Sequence, residues 1–429
     1  MDILIHALGL PFNGDTIKKQ SLGGSESAAY YFAKELAARG HRVQCWTAEE
    51  KGGDFDGVMY THVGQCTEAA PLGDKFTFYA TQTPHDVLII QRHPLGFHKD
   101  YASKVNIWQL HDVATHRQNN TVQGGMARID FVTTVSEWHA KQVREVYGFQ
   151  QSVMRAVPNG VDPALYEGPY DPHPTVMGLK ADGKFVMLYQ SRPERGLDHL
   201  LRPDGIMDQL KGTNAHLILC GYNNTTSAMQ DYYAQLAERV KNMDNVTDLG
   251  CLTKADLSRL QRGCDLLVYP TTFCEVSCIT AMEAMHAGLP ILTSEYAALA
   301  ETCQDSGTIF VPFKEGKKQP NELDHLISGI GDLIVDEDAY VKVIRGLMTT
   351  PIRMDRLRVD QFAAAQRYTW KLATDKLEAI IEEAFAKRQR PASMLRHLIE
   401  HSDIVAAEKF FAESETQQDA ISASAVAEM

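Results

Sequence analysis

The chain has 429 residues, a formal net charge of −13 and 44% apolar content. That length exceeds what one hydrophobic core serves and suits two α/β domains. The acidic balance disfavours non-specific nucleic-acid binding and electrostatic adhesion to anionic membranes.

Met1 runs directly into a strand-like stretch, Ile3-Leu4-Ile5. No basic leader with a small-residue cleavage site precedes it, so a cytoplasmic protein is expected. No apolar run approaches the ~20 residues of a membrane span, so no strong membrane anchor is expected. The eight cysteines contain no CxxC pair with metal spacing. Reduced, half-buried thiols are the expectation.

After the first strand comes a polar loop, Ser21 to Glu26, containing Gly23-Gly24. Ala28, Ala29, Phe32, Ala33, Leu36 and Ala37 then recur with a helical period that ends at Gly40. Strand, Gly-Gly loop and helix make the opening of a doubly wound domain. Such glycines let a backbone approach a ligand closely, or they simply relieve strain. The helix start favours negative charge. The pattern is not GxGxxG, which disfavours a nicotinamide cofactor.

Arg42 to Trp46 reads as the second strand. Residues 49–75 read as an irregular surface excursion with a short hairpin around Val58–His62. DVLIIQ (86–91) and VNIWQL (105–110) are further buried strands. Each ends at a polar cluster, Arg92-His93 and His111-Asp112, where open α/β sheets collect ligands. His111 either faces a bound ligand or accompanies Asp112 in capping the next helix. Phe131 to Val135 is a strand, and Ser136 is a plausible N-cap for the helix after it. Pro158-Asn159-Gly160-Val161-Asp162 closes the first half, with an Asn-Gly turn of positive φ expected. The proline-rich residues 163–182 read as a linker.

A second βα series starts at Phe185–Tyr189 and leads through Arg192 and Arg195 into a helix with Leu197, Leu200 and Leu201. Cations at a helix start are poorly placed unless an anion is bound there. His216–Cys220 is the next strand and stops at Gly221. A helix from about Thr226 to Met243 follows, and then a strand and loop, Val246 to Leu252. A short helix, Ala255 to Gln261, leads into the stretch YPTTFCEVSCITAMEAMHAGLP (269–290). Pro270 ends a buried strand there and a helix is expected from near Val276. Glu275 lies in the turn and Glu283 two turns inside an otherwise apolar helix. Two solvated glutamates would satisfy this pattern, and a buried pair would need partners. Eight helical residues advance ~12 Å, whereas a hydrolase carboxylate pair sits ~5–9.5 Å apart. Separate hydroxyl-binding roles fit the spacing better. Ile291–Ser294 and Gly307–Pro312 complete the sheet, and residues 320–388 read as mainly helical.

Glu275, seven residues, Glu283 and then Gly288-x-Pro290 resemble the retaining glycosyltransferases of the GT-B fold, family-4 type. The Gly23-Gly24 loop, Ser136, the PNGVD run and the Arg192/Arg195 loop follow that family's order over about 390 residues, by rough count of the motifs. The resemblance implies two doubly wound, Rossmann-like α/β domains facing across a cleft. Residues 1–165 would bind the acceptor, completed by a C-terminal helix over 366–390. Residues 166–365 would bind the nucleotide sugar, and 391–429 would form a helical, mobile tail. It implies transfer of a hexosyl or N-acetylhexosaminyl group from a UDP- or GDP-sugar donor to a glycan, protein or small-molecule acceptor. The anomeric configuration would be retained, with no cofactor and no metal.

The resemblance places Arg192 and Arg195 on the donor diphosphate, Glu275 on the transferred sugar and Glu283 on the ribose. His111 would sit by the sugar. Gly23, Gly24, Gly221, Cys251, Leu252 and the amides of Ser277, Cys278 and Ile279 would line the donor site. Arg92, His93 and Asp112 would lie on the acceptor side. Three departures stand out: the loop carrying Arg192 and Arg195 is shorter than the family's, an arginine replaces its lysine at 195, and Val276-Ser277-Cys278-Ile279 replaces Gly-Phe-Gly-Leu. The other readings of the same fold are a nucleotide-sugar 2-epimerase and a non-catalytic accessory subunit.

Overall fold

The computed structural model describes residues 1–221, 229–314 and 333–400, with side chains to 388. The chain divides into a unit of Met1–Leu377 and a second of Glu378–Met429. In the second, the described part is the continuation of one helix, Trp370–Glu400. Of the tail expected over 391–429, residues 391–400 continue this helix, and the rest lies outside the described residues, as does the segment 320–332.

The first unit holds two sheets. One is ordered β3 (Gly53–Phe55), β4 (Val58–His62), β2 (Arg42–Thr47), β1 (Asp2–Ala7), β5 (His85–Gln91), β6 (Ser103–Gln109), β7 (Phe131–Thr134), β8 (Met154–Ala156). Its neighbours pair in parallel except β3 with β4. The other is ordered β11 (Val246–Asp248), β10 (Ala215–Leu219), β9 (Phe185–Tyr189), β12 (Leu266–Tyr269), β13 (Ile291–Ser294), β14 (Ile309–Val311) and is parallel throughout. Continuous apolar runs such as Val87-Leu88-Ile89-Ile90 are buried on both faces, as parallel sheets require. Each sheet grows outward from a central pair, β1/β5 and β9/β12. Strand order reverses at these switch points, and a crevice opens at the carboxyl ends.

Several local expectations need correction. Residues 58–62 form the expected hairpin, with β3, but not as a surface excursion: β4 extends the main sheet, Val58 opposite Val43, because Val58 and Tyr60 both turn inward and are buried. The helix Asp74–Gln82 follows, burying Phe76 and Ala80. The linker is partly helical, over Pro174–Ala181, with Val176 buried. Asn159 and Gly160 do not have positive φ. Gly160 is required instead by close approach: a Cβ there would stand 2.3 Å from the Trp370 backbone nitrogen. Val161 bridges to Thr369 at that crossing, and the Trp370 ring stacks on Tyr31 with centroids 5.0 Å apart.

Candidate active site

The carboxyl ends of both sheets border one cleft of about 670 Å³. Its walls come from the segments after β1, β5, β6, β7 and β8 on one side and after β9, β10, β11 and β12 on the other.

On the second side, two buried carboxylates each meet a cation. Pro270 stops β12, and the turn after it brings Glu275 back beneath the strand end. Its Oε1 accepts from Arg195 Nη1 at 3.0 Å and from the Tyr269 hydroxyl at 2.6 Å. Burial, then the neighbouring Glu275 charge, holds the Tyr269 phenol far above its ordinary pKa, so it remains a donor. The Arg195 guanidinium lies over the Phe273 ring, 3.8 Å from its centroid. Gly196 allows this placement: at φ +113°, a Cβ would stand 2.3 Å from the Pro270 carbonyl oxygen. Glu283 accepts from Gln190 Nε2 at 3.1 Å and from the Lys254 ammonium. Behind it, Gln261 donates to Gln190 at 2.7 Å and the Tyr166 hydroxyl donates to Gln261 at 2.6 Å. The chain of bonds satisfies buried polar groups that would otherwise be costly.

The helix bearing Glu283 spans Ile279–His286 and starts later than expected, because Cys278, in extended conformation, is its N-cap. Its first internal bonds are those of Ala281 and Met282 to the Cys278 carbonyl. The amides of Ser277, Cys278 and Ile279 therefore precede the ladder, and all three residues line the cleft.

On the first side, Glu26 folds back under the Gly-Gly loop. Its carboxylate accepts from the Leu10 amide at 3.1 Å and the Ser25 hydroxyl at 3.0 Å. Gly23 makes room for it: a Cβ there would meet Glu26 Oε2 at 2.3 Å. Arg92, at φ +64°, forks onto Asp112 through Nε (2.6 Å) and Nη2 (3.2 Å). Its Nη1 donates to Ser25 Oγ at 3.2 Å. Burial pushes the His111 imidazole down to about 3; Asp112 opposes this, and Arg92 and His139 add to it. His111 is therefore neutral near pH 7. His139, buried and pushed down to about 4, donates from Nε2 to the Asp112 carbonyl at 2.8 Å.

Four hydrogen bonds, from three side chains, tie the walls together. Ser136 Oγ donates to the Val276 carbonyl at 2.7 Å while accepting from the His139 amide. Ser21 Oγ donates to the Leu252 carbonyl at 2.7 Å. Glu301, beyond β13, accepts from the Glu137 and Trp138 amides, each at 2.8 Å. A carboxylate from one sheet's side thus caps a helix, Glu137–Tyr147, from the other.

The cleft collects Gly23, Gly24, Arg92, His111, Asp112, Arg192, Arg195, Gly221, Leu252, Glu275 and Glu283. Cys251 does not line it: the thiol turns aside to the Gly221 carbonyl at 2.8 Å. His93 also lies off the wall, its Nδ1 accepting from the Leu95 amide at 3.2 Å. Sequence reading missed Glu26, Gln190, Lys254 and Glu301. Glu26 carried a signal, since it continues the buried stripe of Ala29, Ala33 and Leu36 at helical spacing. Lys254 carried another, a cation at the first position of the helix Lys254–Gly263. Gln190 and Glu301 carried none.

Residues 178–330 match the family model for glycosyl transferases group 1, and residues 22–165 match that for glycosyltransferase family 4. An uncharacterised glycosyltransferase of Methanocaldococcus jannaschii is 25% identical over 40% of this chain and 43% of its own length. The D-inositol 3-phosphate glycosyltransferase of Mycobacterium marinum is 25% identical over 57% of this chain and 48% of its own. The chain thus spans about half the length of these curated relatives. Among solved structures, Anabaena HepE in complex with UDP and glucose superposes with a TM-score of 0.65 at 17% identity, covering 89% of this chain and all of that one. Sucrose-phosphate synthase from Thermosynechococcus elongatus gives 0.69 at 15% identity, covering 90% and 100%. With both halves matched in order and the two-sheet architecture shared, the chain belongs to the family-4-type glycosyltransferases of the GT-B fold.

Proposed function

We propose that the protein transfers a sugar from a UDP- or GDP-sugar to an acceptor hydroxyl, with retention and without a metal or other cofactor. One observation carries this: Glu275 and Glu283, each buried and paired with a cation, open onto the same cleft. Glu283 has lone pairs left beyond Gln190 and Lys254, and these suit two ribose hydroxyls. Arg192, Arg195 and the amides of 277–279 suit a diphosphate. Glu275, steadied by Arg195 and Tyr269, suits a hydroxyl of the transferred sugar. Negative charge grows on the diphosphate as its bond to the anomeric carbon breaks, and the fixed guanidinium groups stabilise it. The acceptor oxygen bonds to that carbon from the same face, and its proton passes to the departing phosphate oxygen. No protein nucleophile is needed. Neutral His111 is suited to hydrogen bonding with the sugar rather than to carrying charge.

In this reading residues 1–165, with the start of the last helix, form the acceptor domain and 166–365 the donor domain. The complexes of HepE with UDP and glucose are consistent with a donor of this class. No described helix is long and apolar enough to cross a membrane; a cytoplasmic location is proposed because such donors are made there.

The test is incubation with UDP- and GDP-sugars and an acceptor panel in the presence of EDTA, with proton NMR of the product anomer. Retained configuration and full activity in EDTA are expected. Inverted product would refute retention, and loss of activity restored by a divalent cation would refute metal independence.

A further inference from the structure

We infer that the acceptor is an uncharged polyhydroxyl compound rather than a phosphorylated or carboxylated one. The inference rests on the transfer reading above. It follows from how charge is distributed on the cleft wall facing the donor side.

Among the described lining residues, that wall contributes Arg92 as its cation and Glu26 and Asp112 as its anions. Recognition of an anionic group here needs a cation with a face to offer or an unclaimed helix start, and the Glu26 carboxylate already occupies the first turn of the helix Gly24–Ala38. Arg92 is engaged on every nitrogen. Its Nε and Nη2 lie on Asp112 at 2.6 and 3.2 Å, and Nη1 lies on Ser25 at 3.2 Å and near Glu26 Oε1 at 3.8 Å. The left-handed backbone at Arg92 fixes this aim, a conformation that side chains other than glycine rarely adopt. Lys18 and Lys19, near the loop, are paired with Asp56 and Asp15. The wall therefore carries a net negative charge. A phosphate brought against it would face two carboxylates whose counter-charge is already used. A sugar hydroxyl meets the opposite situation: carboxylate and hydroxyl oxygens to accept its hydrogen bonds, and Leu10 and Val113 for its apolar face.

The test is calorimetric titration of glucose 6-phosphate into protein saturated with UDP or GDP, which blocks the donor diphosphate site. Nucleotide binding is read first, so failure of the donor reading appears separately as absence of that signal. For the wild type, no binding that depends on Arg92 is expected up to about ten millimolar: the curves for wild type and Arg92→Asn should coincide. Asparagine is chosen because it tolerates the left-handed backbone. Asp112→Asn, at an exposed position, should release the guanidinium and raise glucose 6-phosphate affinity at least tenfold. If Arg92→Asn does not fold, the comparison of Asp112→Asn with wild type still decides. Arg92-dependent binding of glucose 6-phosphate to the wild type would overturn the inference, and so would an Asp112→Asn variant that gains none.

Discussion

Lys254 donates to Glu283 across the mouth of the donor side, joining the first residue of one helix to the second turn of another. Both side chains are largely buried, at 16% and 8% exposure. The ammonium sits at the positive end of its own helix, a placement that the carboxylate offsets. Replacing Lys254 by Met should leave Glu283 buried with Gln190 as its remaining described donor. Breaking a buried ion pair from one side costs about 3 kcal/mol. A urea midpoint unchanged in Lys254→Met would show that the pair is not coupled to folding.

Arg195→Ala should weaken UDP or GDP binding at least tenfold, since a charge-assisted bond to phosphate contributes about 1.5–3 kcal/mol. The control is Glu275→Gln, which should abolish sugar transfer and leave nucleotide affinity within a few-fold. Calorimetry and product assays separate the two. Equal nucleotide affinity in Arg195→Ala and wild type would take the guanidinium off the diphosphate.

Glu301→Gln weakens a charged cap across the cleft. Loss of the charge at the Glu137–Tyr147 helix start should destabilise by about 1 kcal/mol. The two walls should also separate more readily, giving a larger radius of gyration in small-angle scattering without nucleotide. Scattering and stability both matching wild type would mean that the contact holds nothing closed.

Two buried histidines, His6 and His139, and the half-buried His111 set a pH dependence. His6 and His111 are held down to about 3 and His139 to about 4, burial being the first cause in each. Their unfolded values lie near 6.5, so the unfolded chain takes up protons that the folded chain refuses. Stability is therefore full above pH 6.5 and falls as pH drops toward 3–4, by at most ~1.4 kcal/mol per pH unit for each histidine. Denaturation at pH 7 and pH 5 should show the loss. An NMR titration with the His111 ring protonating near pH 6.5 would contradict it.

The strands were legible because parallel sheets bury both faces, and DVLIIQ and VNIWQL have nowhere else to go. β4 was legible as half of a hairpin but not as a member of the main sheet, since Val58-Met59-Tyr60 alternates in burial and only its pairing with β2 gives it that place. The Asn159-Gly160 pair read as a turn by residue type. Its glycine serves instead the passage of Thr369-Trp370, a contact over two hundred positions away in the chain.

Glu275 and Glu283 could be singled out from spacing, and Arg192 and Arg195 from their place at a strand end. Local order carries that much, because strand ends and helix starts are set by neighbours in the chain. The partners were another matter. Lys254, Gln190 and Glu301 reach their carboxylates or amides from distant segments, and Arg92 meets Asp112 only because β5 and β6 lie side by side. Which charges cancel is a property of the folded cleft, since Coulombic pairing depends on distance in space and not along the chain.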